Sequence, residues 1–471
     1  MTQECDLAIV GAGPGGYVAA LRAAQLGMKV TLVERAALGG VCLNRGCIPT
    51  KAMLHVAALL HEIRHAEDFG IVVEGPVRID YPAAVRRREQ VVSRLTRGVG
   101  TLLKHAKVQV LTGEAAFAGP TTLEVSLTGK DGAAGGHETV AASHIMVATG
   151  SRPADFPVPG AVHPRVIDSD GALALDEVPR RLLVIGGGAV GCEWSTIFAR
   201  FGAEVTLVEM LPSLLPREDT DLGAVLADSM TKMGVAVRTG TSVASIAPSG
   251  DALAVELTGE HAGALEADYV LVAAGRAPLT EGLGLAAAGV ATTERGWVIA
   301  DQAGRTNVPS VLAIGDVTGG ALLAHVASRQ GVVAVETLAG HSPAPVRDDR
   351  IPSVTYTDPE VASVGLTESA ARDLGLAVEV GRFPFSASGR AVAAGTEAGL
   401  VKVVADSRFG RVLGVHMIGP HVGELLAEAV LALELEATLD EMTSVIRAHP
   451  TLSEAVGEGS LAALGIALHT V

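Results

Sequence analysis

The residues best suited to chemistry lie in one short stretch, GGVCLNRGCIPTKAML, at positions 39–54. Cys42 and Cys47 stand five residues apart, and Lys51 follows Cys47 by four. Such a pair could be a structural crosslink, part of a metal site or a redox couple. A regular helix sets residues five apart beyond disulfide reach, which requires Cα atoms within about 7 Å. Pro49 is welcome in a first helical turn and resisted deeper in. Cys47 is therefore expected at a helix start, with Cys42 on the loop or distorted turn before it. A helix N-terminus and a cation both stabilise a thiolate, and Lys51 falls on the Cys47 face of a regular helix. Two unrelated thiols packed in a core are the plain alternative.

A second candidate stands near the other end, in RAHPTLSEAVGEG. Pro450 biases His449 away from helix, so His449 is expected just before one, with Glu454 in its first turn. A carboxylate there orients an imidazole as a general base for a thiol proton. Alone, the motif is weak, since a His with a nearby Glu is more often a surface pair; it gains weight beside the cysteines.

Composition narrows the choices. Only four cysteines occur, at 5, 42, 47 and 192. No CxxC or HxxxH spacing accompanies them, so no metal site is expected. The N-terminus lacks the basic and apolar regions of a signal peptide, and no apolar run reaches the roughly 18 residues of a membrane span. A cytoplasmic protein is expected, where structural disulfides are rare and a close pair reads as redox-active. The net charge of −16, with no basic stripe apparent, argues against nucleic acid as partner. An acidic surface suits a basic protein partner.

An internal repeat must position these groups. DLAIVGAGPGGYVAALRAAQLGMKVTLVER (6–35) matches RLLVIGGGAVGCEWSTIFARFGAEVTLVEM (181–210). Each reads as strand, glycine turn, amphipathic helix and a second strand ending in Glu34 or Glu209. Gly11, Gly13 and Gly16, and again Gly186, Gly188 and Gly191, permit a tight turn, approach of a pyrophosphate and close helix packing. The helix N-terminus offers N–H groups to phosphate, and the Glu accepts from a ribose. Glu209 repels a 2′-phosphate, so the second site is expected to prefer NAD to NADP. Two such sites suit a flavin and a nicotinamide. A helical segment is expected over about 47–105, then β-structure to MVATGS at 146–151. VLAIGD ends at Asp316, at the mouth of a parallel sheet, and GHSPAPVRDDR (340–350) reads as a linker. Beyond it, VKVVAD and RVLGVHMIG form a hairpin, and Val422, Leu425, Leu426, Ala429, Val430 and Leu433 give a helix a core face. The fold class is α/β: two Rossmann-like dinucleotide-binding domains and a C-terminal α+β domain.

GAGPGGY, GGVCLNRGCIPTKAML, GGGAVGCE, LAIGDVTGGALLAH, IPSVTYTDPEVASVGLTE and HPTLSEAVGE together resemble the flavin-dependent pyridine nucleotide–disulfide oxidoreductases over essentially the whole length. The likeness is to the members that oxidise dihydrolipoamide. It implies an FAD domain (1–150), an NAD domain (151–279), a central domain completing the FAD site (280–346) and an interface domain (347–471). It implies a homodimer whose site takes His449 and Glu454 from one subunit and the cysteines from the other. For FAD it implies Glu34 on the adenosine ribose, Asp316 on the ribityl chain and Leu322, Leu323, Ala324 and His325 along the flavin. Further FAD contacts match Arg35, Gly40, Val41, Cys42, Ala115, Thr149, Gly150 and Ser151, and Lys51 approaches the flavin and pairs with Glu193. Val243 and Gly275 match NAD contacts. The implied reaction oxidises dihydrolipoamide through a Cys42–Cys47 disulfide, FAD and NAD, for a 2-oxo acid dehydrogenase complex. Ala189, Leu279, Arg45 and Thr50 depart from the common pattern without removing a reacting group. The rival readings are a reductase of a small disulfide of mycothione or glutathione type and a redox-inert flavoprotein scaffold.

Overall fold

The apolar run LAIV at 7–10 is a strand because aliphatic and β-branched residues fit a parallel sheet covered on both faces. It closes β1 (Thr2–Val10). The computed structural model describes residues 2–129 and 133–470. The chain forms two compact units, the first holding the chain up to Ala52, Val85–Asp155 and Gly275–Val346, the second the remainder.

In the first unit, β1 lies between β2 (Val30–Glu34) and the strand Ala134–Val147, parallel to both. The strands Gln109–Gly119 and Val311–Ala313 extend the parallel sheet at either side. Leu7, Ile9, Leu32 and Met146 are fully buried in it. Helix α1 (Pro14–Gln25) follows the glycine turn, with Pro14 supplying the preset φ of a first helical position. It packs on the helix Ala324–Leu338. Gly331 makes the approach possible, since a Cβ there would lie 2.8 Å from the Gly15 carbonyl oxygen.

The expected helical segment over about 47–105 is two α-helices and a short 3-10 turn. Helix α2 (Gly40–Arg45) precedes α3 (Cys47–Arg64), and α4 (Tyr81–His105) comes after a gap. Gly70, with φ at +75°, ends a short 3-10 turn, and residues 71–80 carry no helix. Gly75 and Pro76 within that gap punctuate the chain as such residues do. A second correction concerns charge: α4 carries six arginines and lysines against one acid, so a basic stripe is present after all.

In the second unit, a five-stranded parallel sheet is built on Arg181–Ile185 and Glu204–Val208. The helix Ala189–Phe201 lies between them in sequence. Its N-cap Gly188, at φ −77° and ψ −179°, repeats the backbone of Gly13 before α1, at φ −66° and ψ −178°. The C-terminal part is a five-stranded antiparallel sheet with the expected hairpin, Leu400–Asp406 and Val412–Gly419. The helix Val422–Glu434 buries Val422, Leu426, Ala429 and Leu433 against it, which is the core face read from the spacing.

Lys402, on the strand Leu400–Asp406, ties the C-terminal sheet to the helix Thr220–Lys232. It is buried, and its Nζ lies 2.7 Å from Asp219, 3.1 Å from Asp221 and 3.0 Å from Glu368. Asp219 also caps the helix Thr220–Lys232. Among the described residues no helix is long and apolar enough to cross a membrane.

Candidate active site

Cys47 opens α3, as its neighbour Pro49 demands. Cys42, expected on a loop or distorted turn, sits in the six-residue helix α2 that ends at Gly46. Gly46, at φ −133° and ψ −110°, breaks the two helices apart and lets the sulfurs meet. Both cysteines are half-buried. A hydrogen bond to Cys47 pushes the Cys42 thiol far above its usual range, and burial adds to this. The charge of Lys51 pulls the other way. Tyr17, given no role from sequence, lies close enough to feel the Cys42 charge.

This redox loop is pressed onto the first glycine turn. Gly39 donates its N–H to the Ala12 carbonyl at 2.8 Å. A Cβ on Gly40 would come 2.6 Å from the Gly13 Cα. Asn44, between the cysteines, donates to the carbonyls of Leu38 and Gly40 at 3.0 and 2.9 Å.

The first turn has the geometry of a dinucleotide cradle. Gly11 has φ +102°, and a Cβ on Gly16 would collide with the Gly11 carbonyl oxygen. Glu34 accepts from the N–H groups of Ala12 (2.7 Å) and Ala36 (2.9 Å). A groove beside it is lined by Gly11, Glu34, Arg35, Ala115, Thr149 and Gly282. Thr149 donates to the Leu279 carbonyl at 2.7 Å, and Leu279 returns its N–H to Gly150 at 3.0 Å. Leu279 therefore serves through its backbone, which explains why its side chain can depart from the common pattern. Ser151 donates to Asp316 at 2.6 Å and accepts from Arg276 at 2.6 Å. Arg276 was missed in the sequence, although it directly follows Gly275. Leu322 and Leu323 lead into the helix that begins at Ala324, where no side chain caps the first amides and His325 is exposed. The open cradle, the acid at its rim and the polar trio at the sheet mouth fit FAD.

The second turn repeats the first. Gly186 has φ +109°, a Cβ there would lie 2.6 Å from the Ala273 carbonyl oxygen, and one on Gly191 would collide with Gly186. Glu209 is buried one residue past its strand and accepts from Gly187 (2.6 Å) and Leu211 (2.8 Å). These residues fit NAD. Gly188 caps the helix through its backbone. Val243 is packed in the core with Leu183, Ile185 and Val208, so only its main chain is offered to a ligand. Gly275 holds φ +128°. Glu193 is buried and accepts from the Tyr356 N–H at 3.0 Å. Cys192 is fully buried, and burial drives its thiol far up, which leaves it inert.

His449 Nδ1 lies 2.9 Å from Glu454, whose other oxygen accepts from the Thr451 N–H at 2.8 Å. Glu454 is the first residue of its helix, and His449 is exposed. Burial works against the Glu454 carboxylate, but Thr451 and His449 outweigh it and hold the carboxyl below its ordinary range. This leaves the other imidazole nitrogen outward and able to accept a proton.

Contrary to the expectation of no HxxxH spacing, the sequence holds HEIRH at 61–65, a spacing seen in zinc sites. The structure spends it otherwise. The His61 and His65 ring centres lie 4.0 Å apart with the planes tilted by 54°, and Arg200 lies 2.5 Å from His61 Nδ1. Burial and then Arg200 push His61 down to about 4. No group of three or more metal-ligating side chains exists among the described residues.

Residues 5–331 match the family described as pyridine nucleotide-disulphide oxidoreductase, and residues 351–459 match its dimerisation domain. The dihydrolipoyl dehydrogenase of Thermus scotoductus is 47% identical, over 98% of this chain and 98% of its own. That of Halobacterium salinarum is 44% identical over 99% and 98%, and the mitochondrial one of Pisum sativum 41% over 99% and 93%. Among solved structures, LpdA from Mycobacterium tuberculosis superposes with a TM-score of 0.88 at 27% identity, covering 97% of this chain and 99% of its own. The HOCl-induced flavoprotein disulfide reductase RclA of Escherichia coli gives 0.85 at 28%, with the same coverage. Paired sulfurs pressed on one dinucleotide turn, a second such turn and a dimerisation domain agree with these likenesses, and the chain belongs to the pyridine nucleotide–disulphide oxidoreductase family.

Proposed function

We propose that the chain oxidises dihydrolipoamide to lipoamide at Cys42 and Cys47, using FAD and NAD+, and works as a homodimer. The observation that carries this reading is the Cys42 thiol hydrogen-bonded to Cys47 at the start of α3, under the influence of Lys51. In the oxidised enzyme the two sulfurs form a disulfide. His449, oriented by Glu454 and contributed by the opposite subunit, takes a proton from a substrate thiol. The resulting thiolate attacks Sγ of Cys42, the S–S bond breaks, and Cys47 leaves as a thiolate. The helix start and Lys51 stabilise that thiolate. The second substrate thiolate then attacks the substrate sulfur of the mixed disulfide, closing the lipoamide ring and releasing Cys42 to be protonated.

Bound FAD supplies two-electron carriage from the dithiol to NAD+. Glu34, Thr149, Ser151, Asp316 and the added Arg276 would hold the flavin nucleotide. The Gly186–Gly191 turn and Glu209 would hold NAD+, with Glu209 disfavouring a 2′-phosphate. The division into FAD, NAD, central and interface domains belongs to the same reading. So do a cytoplasmic location, a lipoyl carrier domain as the source of the dithiol, and service to a 2-oxo acid dehydrogenase complex.

The test is anaerobic reduction of the yellow protein by dihydrolipoamide, followed by addition of NAD+. A long-wavelength thiolate–flavin band and then NADH are expected. His449→Gln should slow the dithiol step by about 10²–10⁴-fold while reduction by NADH persists. A flavin that NADH reduces but dihydrolipoamide does not would move the assignment to a reductase of small disulfides.

A further inference from the structure

The basic stripe of α4 has no part in the chemistry above, yet it stands against the redox loop. Thr96 on α4 donates to Asn44 at 3.2 Å, and Asn44 lies between the two cysteines. Val99 and Leu103 of α4 share a core with Leu38 and Leu43, which flank Cys42. The inner face of α4 is therefore fixed to the segment that carries the reactive sulfurs.

The outer face is cationic. Arg86, Arg87, Arg94, Arg97 and Lys104 are exposed. At 100° per residue they fall within about a third of the helix circumference. Among the described residues, none of the five makes an ion pair; Arg97 bonds only the Ser93 carbonyl of its own helix. Leaving so many guanidinium groups unneutralised is unusual in a chain of net charge −16. Leu95 and Leu102, 40% and 53% exposed, border the stripe. α4 carries no Phe or Trp, its one Tyr, Tyr81, is buried, and its only exposed aromatic is the terminal His105. Stacking on bases is therefore not provided for, whereas charge beside aliphatic surface suits a folded acidic protein.

We infer that the outer face of α4 docks an acidic carrier domain that presents the dithiol to Cys42. The inference rests on the proposed activity and adds the element by which the protein-bound substrate is recognised. Steering by the stripe raises the encounter rate with an acidic partner and falls with ionic strength. A free dithiol, being small and uncharged, gains nothing from it.

The experiment compares two substrates of the holoenzyme, free dihydrolipoamide and a recombinant lipoylated carrier domain of net negative charge, reduced beforehand. The parent and the variant Arg87→Glu/Arg94→Glu/Arg97→Glu are assayed at low and high salt. With the carrier domain, kcat/KM should drop roughly tenfold or more in the variant at low salt, through KM, and the parent should lose a similar factor at high salt. With free dihydrolipoamide the two proteins should match, which also shows that the variant is folded. Equal kcat/KM for the carrier domain in parent and variant overturns the docking and leaves the activity standing. Inactivity of the parent toward both substrates overturns the activity and the docking together. Stripe-dependent binding of a short oligonucleotide, with carrier kinetics unchanged in the variant, would reassign the stripe to polyanions.

Discussion

The two glycine turns are built alike and set differently. In each, a left-handed first glycine lies under the carbonyl of a neighbouring strand, and the carboxylate 23 residues on accepts two backbone N–H groups. Around the first, the chain closes a groove with Ala115, Thr149 and Gly282, and polar groups converge at Asp316. Around the second, Val190, Met210 and Leu211 are exposed, at 41%, 71% and 43%. The same local device thus makes a walled site in one place and an open rim in the other. The wall suits a resident cofactor, and the open rim suits one that must come and go. Support differs as well. The second turn belongs to a unit tied together by Lys402, and the first unit has no buried lysine among the described residues.

The largest effect is expected from breaking that tie. Lys402→Met leaves the buried Asp219 carboxylate without its cation, at a cost of about 3–5 kcal/mol. Chemical denaturation should show the loss, with the second unit unfolding before the flavin is released. Simultaneous loss of both would mean that the units do not unfold separately.

Next come the paired substitutions Gly16→Val and Gly191→Val, each of which puts a side chain against a carbonyl oxygen. Gly16→Val should purify without flavin. Gly191→Val should stay yellow but be reduced by NADH about 100-fold more slowly. Loss of flavin from both would erase the distinction between the turns.

Glu209→Gln removes charge-assisted bonds worth about 1.5 kcal/mol and should raise KM for NAD+ about tenfold. Glu34→Gln should leave that KM unchanged and act only on flavin retention, read by dilution and fluorescence.

The smallest effect is in pH. Burial opposes the Glu368 carboxylate, but Lys402 and Arg372 outweigh it and hold Glu368 down at about 2, against an ordinary 4.5. Asp221 is likewise lowered by Arg382 and Lys402, against the effect of burial. A depressed carboxyl stabilises fully above its unfolded value and ceases to as pH falls through its folded one. The stability gap between the parent and Lys402→Met should therefore narrow by roughly 1 kcal/mol between pH 4.5 and 2, as seen in melting curves. A gap constant over that range would show that the carboxylates are not coupled to Lys402.

The repeat, the helix start at Cys47 and the His449–Glu454 pair were legible because each depends on neighbours in the chain. A glycine turn followed by helix and acid is a local instruction, and Pro49 and Pro450 restrict backbone at their own positions. Cys42 within a helix was not legible, since the break depends on the backbone angles of Gly46. Arg276 was not legible as a partner of Ser151 and Asp316, because those three come together only when distant strands align. HEIRH shows the converse: its spacing was readable, but Arg200 and burial decided that its imidazoles serve structure.

The sequence by itself determined the two dinucleotide turns, the strand and helix periods and the chemical types of the reacting residues, because these follow from local backbone freedom and hydrophobic spacing. Only the tertiary structure decided how the two sulfurs meet across the break at Gly46, which carboxylate is buried and which cations remain unpaired beside the redox loop. Those outcomes depend on desolvation and on distances between residues far apart in the chain, which no local pattern records.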